Sequence, residues 1–273
     1  MKSLQQYMFD LQRFGVAPDK IMAQMSGRKA KAPRVLTVTM PKSGTNLLQR
    51  ILVLHPLLGR AWLPTLGRRN AEKWADARKL LSGVKSGRIV STHFDYDAAL
   101  ATLIRDELDF KLLLMVRDPR DAVISDMHYI ANWPGHPQKD LLAGMSTDKE
   151  RLLALIGGRA GIRPVRDQIL RFSDWSNHAH TLRFEDTVGA GGGGSDAAQF
   201  RMISDLFAYL GLPLSDDEVR DIAARARSAK TQTFRTGRLG NWKEAFDDEV
   251  RDSFRTHAGD LLIDLGYEKD LDW

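Results

Sequence analysis

The run Phe110–Val116 (FKLLLMV) is apolar at every position but Lys111, and it breaks off at Arg117-Asp118-Pro119. A strand with one wet face alternates polar and apolar residues. A run this continuous needs cover on both faces, as a central strand of a parallel sheet has. Arg34–Met40 (RVLTVTM) reads as a second buried strand, rich in β-branched residues and closed by Pro41. Arg88–Thr92 and His180–Phe184 are two further, shorter candidates. Helical spacing lies between them, over Thr45–Leu54, over Tyr96–Leu108 and from Pro119 toward Ile130, where proline suits a first helical turn. This alternation predicts an α/β fold: a single domain with a central parallel sheet flanked by helices. With 273 residues, 43% of them hydrophobic, the chain can bury such a core.

The second half is predominantly helical. Ser195 is placed to cap a helix carrying Phe200, Ile203, Phe207 and Leu210, which Gly211 stops. Ser215-Asp216-Asp217-Glu218 is a capping-box pattern, and Asp247–Leu265 forms a last helix ended by Gly266. Gly189–Ser195 (GAGGGGS) reads as a flexible surface loop within one domain. The expected division is an N-terminal arm over residues 1–32 and the domain over 33–273. The arm is amphipathic (Leu4, Tyr7, Met8, Leu11, Phe14), which fits a helix packed on the domain or one lying in a membrane interface.

Cysteine is absent, which excludes disulfides, thiolate metal sites and cysteine nucleophiles and suits a reducing cytoplasm. No His/Asp/Glu cluster has metal-ligand spacing, so no metal is expected. Mean hydropathy is −0.33 and no stretch has the length of a membrane span. The net charge of +5 suits an anionic ligand or a basic surface. The Arg28, Lys29, Lys31, Arg34 cluster is too small to indicate nucleic acid.

Three segments carry chemistry. Met40-Pro41-Lys42-Ser43-Gly44-Thr45-Asn46-Leu47 joins a strand to a helix, so backbone N–H groups and a helix start converge there beside the Lys42 charge. It is not a GxxxxGK[ST] loop. Arg117-Asp118-Pro119-Arg120-Asp121 leaves the carboxyl end of the apolar strand, the edge at which open α/β sheets bind ligands. Ser125, two turns into the next helix, can share that side. Asp118 near the helix start and a solvated Arg120 are the unremarkable alternative. Phe234–Lys243 (FRTGRLGNWK) sets two glycines among basic residues, in a loop able to wrap a phosphate or in a plain basic turn.

Together these segments resemble the sulfotransferases that use 3′-phosphoadenosine 5′-phosphosulfate (PAPS). Pro41–Thr45 is similar to the family's phosphosulfate loop T-Y-P-K-S-G-T-T-W. Arg117 and Ser125 are similar to its 3′-phosphate motif, and Phe234–Lys243 to its late loop R-K-G-x-x-G-D-W-K. All three occur in the family's order. The resemblance implies a fold like that of P-loop nucleotide kinases, with PAPS as cosubstrate and 3′-phosphoadenosine 5′-phosphate (PAP) as product. It implies that Lys42, Ser43, Gly44, Thr45 and Asn46 hold the phosphosulfate, and that Arg117, Ser125, Arg235 and Gly237 hold the 3′ phosphate. Phe184 and Phe234 complete the implied cofactor set. The chain departs from the family at Leu47 (Trp), Phe184 (Tyr), Thr236 (Lys) and Asn241 (Asp); Arg238 is a candidate substitute for the missing cation.

Sulfonyl transfer to a hydroxyl requires a base, for which histidine is suited near neutral pH. Of His55, His93, His128, His136, His178, His180 and His257, only His93 ends a strand on the edge that carries Lys42 and Arg117. Thr92-His93 also resembles the family's K-T-H segment, with Ser91 in place of lysine. The expected catalytic pair is His93 and Lys42. A small-molecule or carbohydrate acceptor is expected, and its identity is not legible in the sequence; candidate contacts lie in Gly59–Trp74, Phe94–Tyr96 and His128–His136, whose aromatics fit a sugar, a phenol or a local cluster. A P-loop kinase using ATP and Mg²⁺, and a catalytically silent protein of the same fold, are the competing readings. Oligomeric state stays open.

Overall fold

The computed structural model describes residues 32–61, 63–67, 74–159, 161–226 and 238–273. The expected N-terminal arm, and Phe234, Arg235 and Gly237 of the late loop, lie outside the described residues.

Among the described residues five parallel strands form one sheet: β1 (Arg34–Thr39), β2 (Gly59–Arg60), β3 (Arg88–Thr92), β4 (Phe110–Val116) and β5 (His180–Arg183), in the order β2-β3-β1-β4-β5. Consecutive residues of β4 serve two cores. Leu112, Leu114 and Val116 face one, with Val123, Ile156, Ile169 and Phe254 from helices on that side. Leu113 and Met115 face the other, with Leu48, Ile51, Ile203 and Ile222. The unbroken apolar run thus reflects helices on both faces. Lys111 is the exposed exception, its ammonium 5.4 Å from the Tyr209 ring.

The Thr45–Leu54 helix, β3 and β4 have the expected bounds. β1 ends one residue early, at Thr39, and β5 ends at Arg183 because Phe184 begins a short helix, Phe184–Thr187. Tyr96–Leu108 is not one α-helix. Asp97 caps Ala98–Thr102 by accepting from the N–H groups of Ala99 and Leu100, and a π-helical turn, Leu103–Glu107, follows. Ser195 caps Asp196–Tyr209, Ser215 and Glu218 form the reciprocal capping box, and Asp247 caps Asp248–Asp264.

Gly189–Ser195 is a packed turn, contrary to the flexible loop expected from its composition. Gly192 and Gly194 both donate to the Gly189 carbonyl. A Cβ at Gly194 would come within 2.8 Å of the Glu185 carbonyl oxygen, so close approach explains that glycine. Among the described residues no helix is long and apolar enough to cross a membrane.

Candidate active site

β1 lies between β3 and β4, with Val38 in register with Thr92 on one side and with Leu114 on the other. The chain leaves β1 toward β2 and β3 and returns across it to β4, so a crevice opens beyond the carboxyl end of β1. The residues that follow β3, β1, β4 and β5 are, in spatial order, His93, the Met40–Thr45 loop, Arg117 and Phe184. The fold therefore brings four expected site segments to one edge.

The loop after β1 is held from beneath. Ser43 is fully buried, and its hydroxyl faces the carbonyls of Met40 (2.7 Å) and Met115 (3.0 Å). This side chain staples the loop to β4; it does not point into the crevice. Gly44 has φ 103°, and a Cβ there would meet Phe184 Cδ2 at 2.5 Å, so both backbone conformation and space require glycine. The Thr45 hydroxyl is 2.8 Å from that of Thr39. The first turn of the Thr45–Leu54 helix directs backbone N–H groups at the same space.

Lys42 also has a left-handed backbone, φ 66°, which is uncommon for a residue with a side chain. Its ammonium lies 4.0 Å from the centroid of the Tyr129 ring. Burial lowers the Lys42 pKa from the ordinary lysine value; Asp126 opposes the shift and Arg117 adds to it. Asp126 sits in a cleft walled by Met40, Pro41, Val123, Val165 and Ile169. Burial pushes its carboxyl up to about 6, against the pull of Lys42. Sequence reasoning missed Asp126, although its i, i+3 spacing from Tyr129 puts both on one helix face.

Arg117 is buried, stacked 4.4 Å from the Phe184 ring centroid, and donates to the Lys42 carbonyl at 3.2 Å. Among the described residues its nearest carboxylate, Asp121, is 3.7 Å away, and its buried Nε has no hydrogen-bond partner. An unsatisfied guanidinium N–H at a ligand-binding edge fits an anion that completes the site. Ser125 is half-buried on the helix that starts at Pro119.

Arg120 is not solvated. It is buried between Trp242 (3.8 Å) and Trp273 (4.5 Å) and paired with Asp118 (2.8 Å) and Glu268 (2.5 Å). Arg238 is exposed, and its carbonyl accepts the Asn241 amide at 2.7 Å.

His93 is held in one tautomer. Its Nδ1 lies 2.7 Å from the Thr39 carbonyl oxygen, which can only accept, and 3.2 Å from the Thr39 hydroxyl, so Nδ1 carries a hydrogen and in the neutral ring Nε2 is the basic nitrogen. Burial lowers its pKa; the Thr39 bond opposes this, and the Lys42 and Arg171 charges reinforce it. The neutral imidazole is therefore the stable form at neutral pH. Ser91, where the family carries lysine, is buried and bonded to Thr37 (3.0 Å) and Gln49 (2.5 Å) beneath the sheet edge. Asp95 is paired with Arg171.

The candidate acceptor segments differ in their placement. Phe94 is fully buried in the core, its carbonyl accepting the Trp175 indole N–H at 3.0 Å. Tyr129, Trp133 and His136 form an aromatic cluster beside Lys42, with Tyr129 and Trp133 edge-to-face at 4.7 Å and Trp133 half exposed. The Gly59–Trp74 segment lies only partly within the described residues. Among these residues no group of three or more His, Cys, Asp or Glu side chains is placed to hold a metal ion.

One carboxyl edge of the parallel sheet thus gathers the Lys42 loop, the buried Arg117 and His93. The sulfotransferase domain model matches residues 32–185. Sulfotransferase 6B1 of Mus musculus is 25% identical over 272 residues, covering 86% of this chain and 80% of that protein. The Pan troglodytes protein of the same name is 22% identical, covering 81% and 73%. Mouse sulfotransferase SULT7A1, solved with PAP, shares the fold with a TM-score of 0.64 at 18% identity, covering 93% of each chain. Retinol dehydratase, solved with androsterone and inactive cofactor PAP, aligns with a TM-score of 0.59 at 16% identity, covering 89% of this chain and 85% of its own. The chain belongs to the sulfotransferase family that its motifs resemble. It is an enzyme of the sulfonyl-transfer class.

Proposed function

We propose that the chain transfers the sulfonyl group of PAPS to a hydroxyl or amine of a small-molecule or carbohydrate acceptor, with His93 as general base. The observation that carries this reading is the pairing, on one sheet edge, of a tautomer-locked neutral His93 with Lys42 and a partly unsatisfied Arg117. PAP in two proteins of the same fold supports the choice of donor, and androsterone in one of them supports a small hydroxylated acceptor.

In this reading the backbone N–H groups around Gly44–Asn46 and the Lys42 ammonium hold the 5′ phosphosulfate, while Arg117 and Ser125 hold the 3′ phosphate. His93 Nε2 takes the acceptor proton as the new O–S (or N–S) bond forms. The bond from sulfur to the bridging oxygen breaks in line, and Lys42 meets the charge growing on that oxygen. The products are the sulfated acceptor, PAP and a proton on His93. Burial lowers the Lys42 pKa by penalising its charge, and a bound anionic donor would oppose that shift and favour the ammonium.

The test is turnover with ³⁵S-labelled PAPS against an acceptor library, in EDTA. Label transfer with stoichiometric PAP release supports the reading. ATP consumption that requires Mg²⁺, with no label transfer, would replace it with the kinase reading. Arg117→Ala should keep its fold and weaken PAP binding by about 10- to 100-fold, the scale of losing a charged hydrogen bond worth roughly 1.5–3 kcal/mol. An unchanged dissociation constant by calorimetry would remove Arg117 from the 3′-phosphate site.

A further inference from the structure

We propose that Asp121 is a positioning residue whose carboxylate latches the Gly240–Trp242 turn onto the Arg117 segment, so that the two loops flanking the 3′-phosphate position act as one. The proposal rests on the reading of Arg117 as a PAP contact.

Asp121 lies in the first turn of the Pro119–Asn132 helix, where an acidic residue would ordinarily serve the helix's own N–H groups. That task belongs to Asp118, which caps the helix by accepting from Arg120 N. Asp121 turns elsewhere. Its two oxygens accept from the backbone N–H groups of Gly240 (2.8 Å) and Trp242 (3.1 Å), far along the chain, and one of them also faces Arg117. The side chain is buried, and a carboxylate withdrawn from water needs such partners.

The same turn is gripped from two further directions. Leu239 N–H donates to the Gly192 carbonyl at 3.2 Å, and the Trp242 ring covers the buried Arg120 guanidinium. Arg117, Arg120 and Asp121 therefore divide the work of one short segment: the first offers a charge to the crevice, and the other two fasten the late loop beside it. The looseness of the Arg117–Asp121 contact is consistent with this division. An anion can take Arg117 while Asp121 remains bonded to the turn. Without the latch, the turn would have to be ordered at the moment of binding, and affinity would fall by that cost.

The experiment uses the full chain. Hydrogen exchange at the Gly240 and Trp242 amides is followed with and without PAP, in the wild type and in Asp121→Asn, together with PAP affinity, kcat and melting temperature. An Asn side chain keeps the shape but can accept through only one oxygen. The latch predicts protection of both amides in the wild type without PAP. In Asp121→Asn it predicts faster exchange at these two amides and PAP binding weaker by about tenfold. The kcat at saturating PAPS should change little. Unprotected amides in the bare wild type, or an Asp121→Asn protein with lowered melting temperature but unchanged PAP affinity, would overturn the proposal. The first of these readouts stands even where the variant fails to fold. If the wild type binds no PAP, the Arg117 reading fails, whereas the two amides still report on the latch.

Discussion

Replacing His93 with alanine should cut kcat by about 10²–10⁴, the usual contribution of a positioned general base, with PAP affinity almost unchanged. The Nδ1–H bond to the Thr39 carbonyl leaves Nε2 as the basic nitrogen, and burial with the neighbouring Lys42 charge keeps the ring neutral. The sign of the pH dependence follows. The active form is the unprotonated ring, so turnover falls as pH drops through the His93 pKa, and in the bare enzyme that pKa lies below the ordinary histidine value. The acid limb of kcat/KM for PAPS should therefore lie below about 6.5. Bound donor brings negative charge to the same edge, which moves the limb seen in kcat upward. Were the ring only a packing group, His93→Ala would lower the melting temperature and leave kcat near normal. Asp95 is a poor substitute base because Arg171 already holds it.

Lys42→Ala should lower kcat by about 10²–10³, on the scale of losing one donor that meets developing charge, with a smaller rise in KM for PAPS. The larger effect on kcat is the informative part. The bridging oxygen becomes strongly negative only as the bond to sulfur breaks, so a group acting there stabilises the transition state more than the bound donor. Alanine keeps the left-handed backbone at position 42 no worse than lysine does, so stability should hold. Lys42→Arg retains charge but not the compact ammonium, and it should not restore full activity. A rise in KM with kcat unchanged would reduce Lys42 to a ground-state contact.

The central strand was legible because helices cover both its faces, and its bounds follow from that one fact. β2 was not: two residues, Gly59 and Arg60, carry no periodicity at all. The helices Asp148–Gly157 and Val165–Ser173 also went unassigned, although the first has a readable start in Thr147, whose hydroxyl accepts Glu150 N–H at 3.2 Å. Gly189–Ser195 misled because composition reports chain freedom, whereas these glycines answer to close packing against Glu185 and Gln199. At the site, strand-end position and motif order placed Lys42, His93 and Arg117 on one edge. Which motif residues face inward could not be read that way. Ser43 spends its hydroxyl on backbone carbonyls, and Arg120 is buried by tryptophans that are far from it in sequence. Asp126 was invisible because its significance depends on a cleft assembled from three separate segments.

The most direct test of a PAPS-handling site is calorimetric titration of PAP into the full chain in EDTA, set beside titration of ATP with Mg²⁺. Such a site gives saturable, single-site PAP binding without metal, weakened in Arg117→Ala and retained in His93→Ala. No PAP binding, with saturable binding of ATP and Mg²⁺, would contradict it.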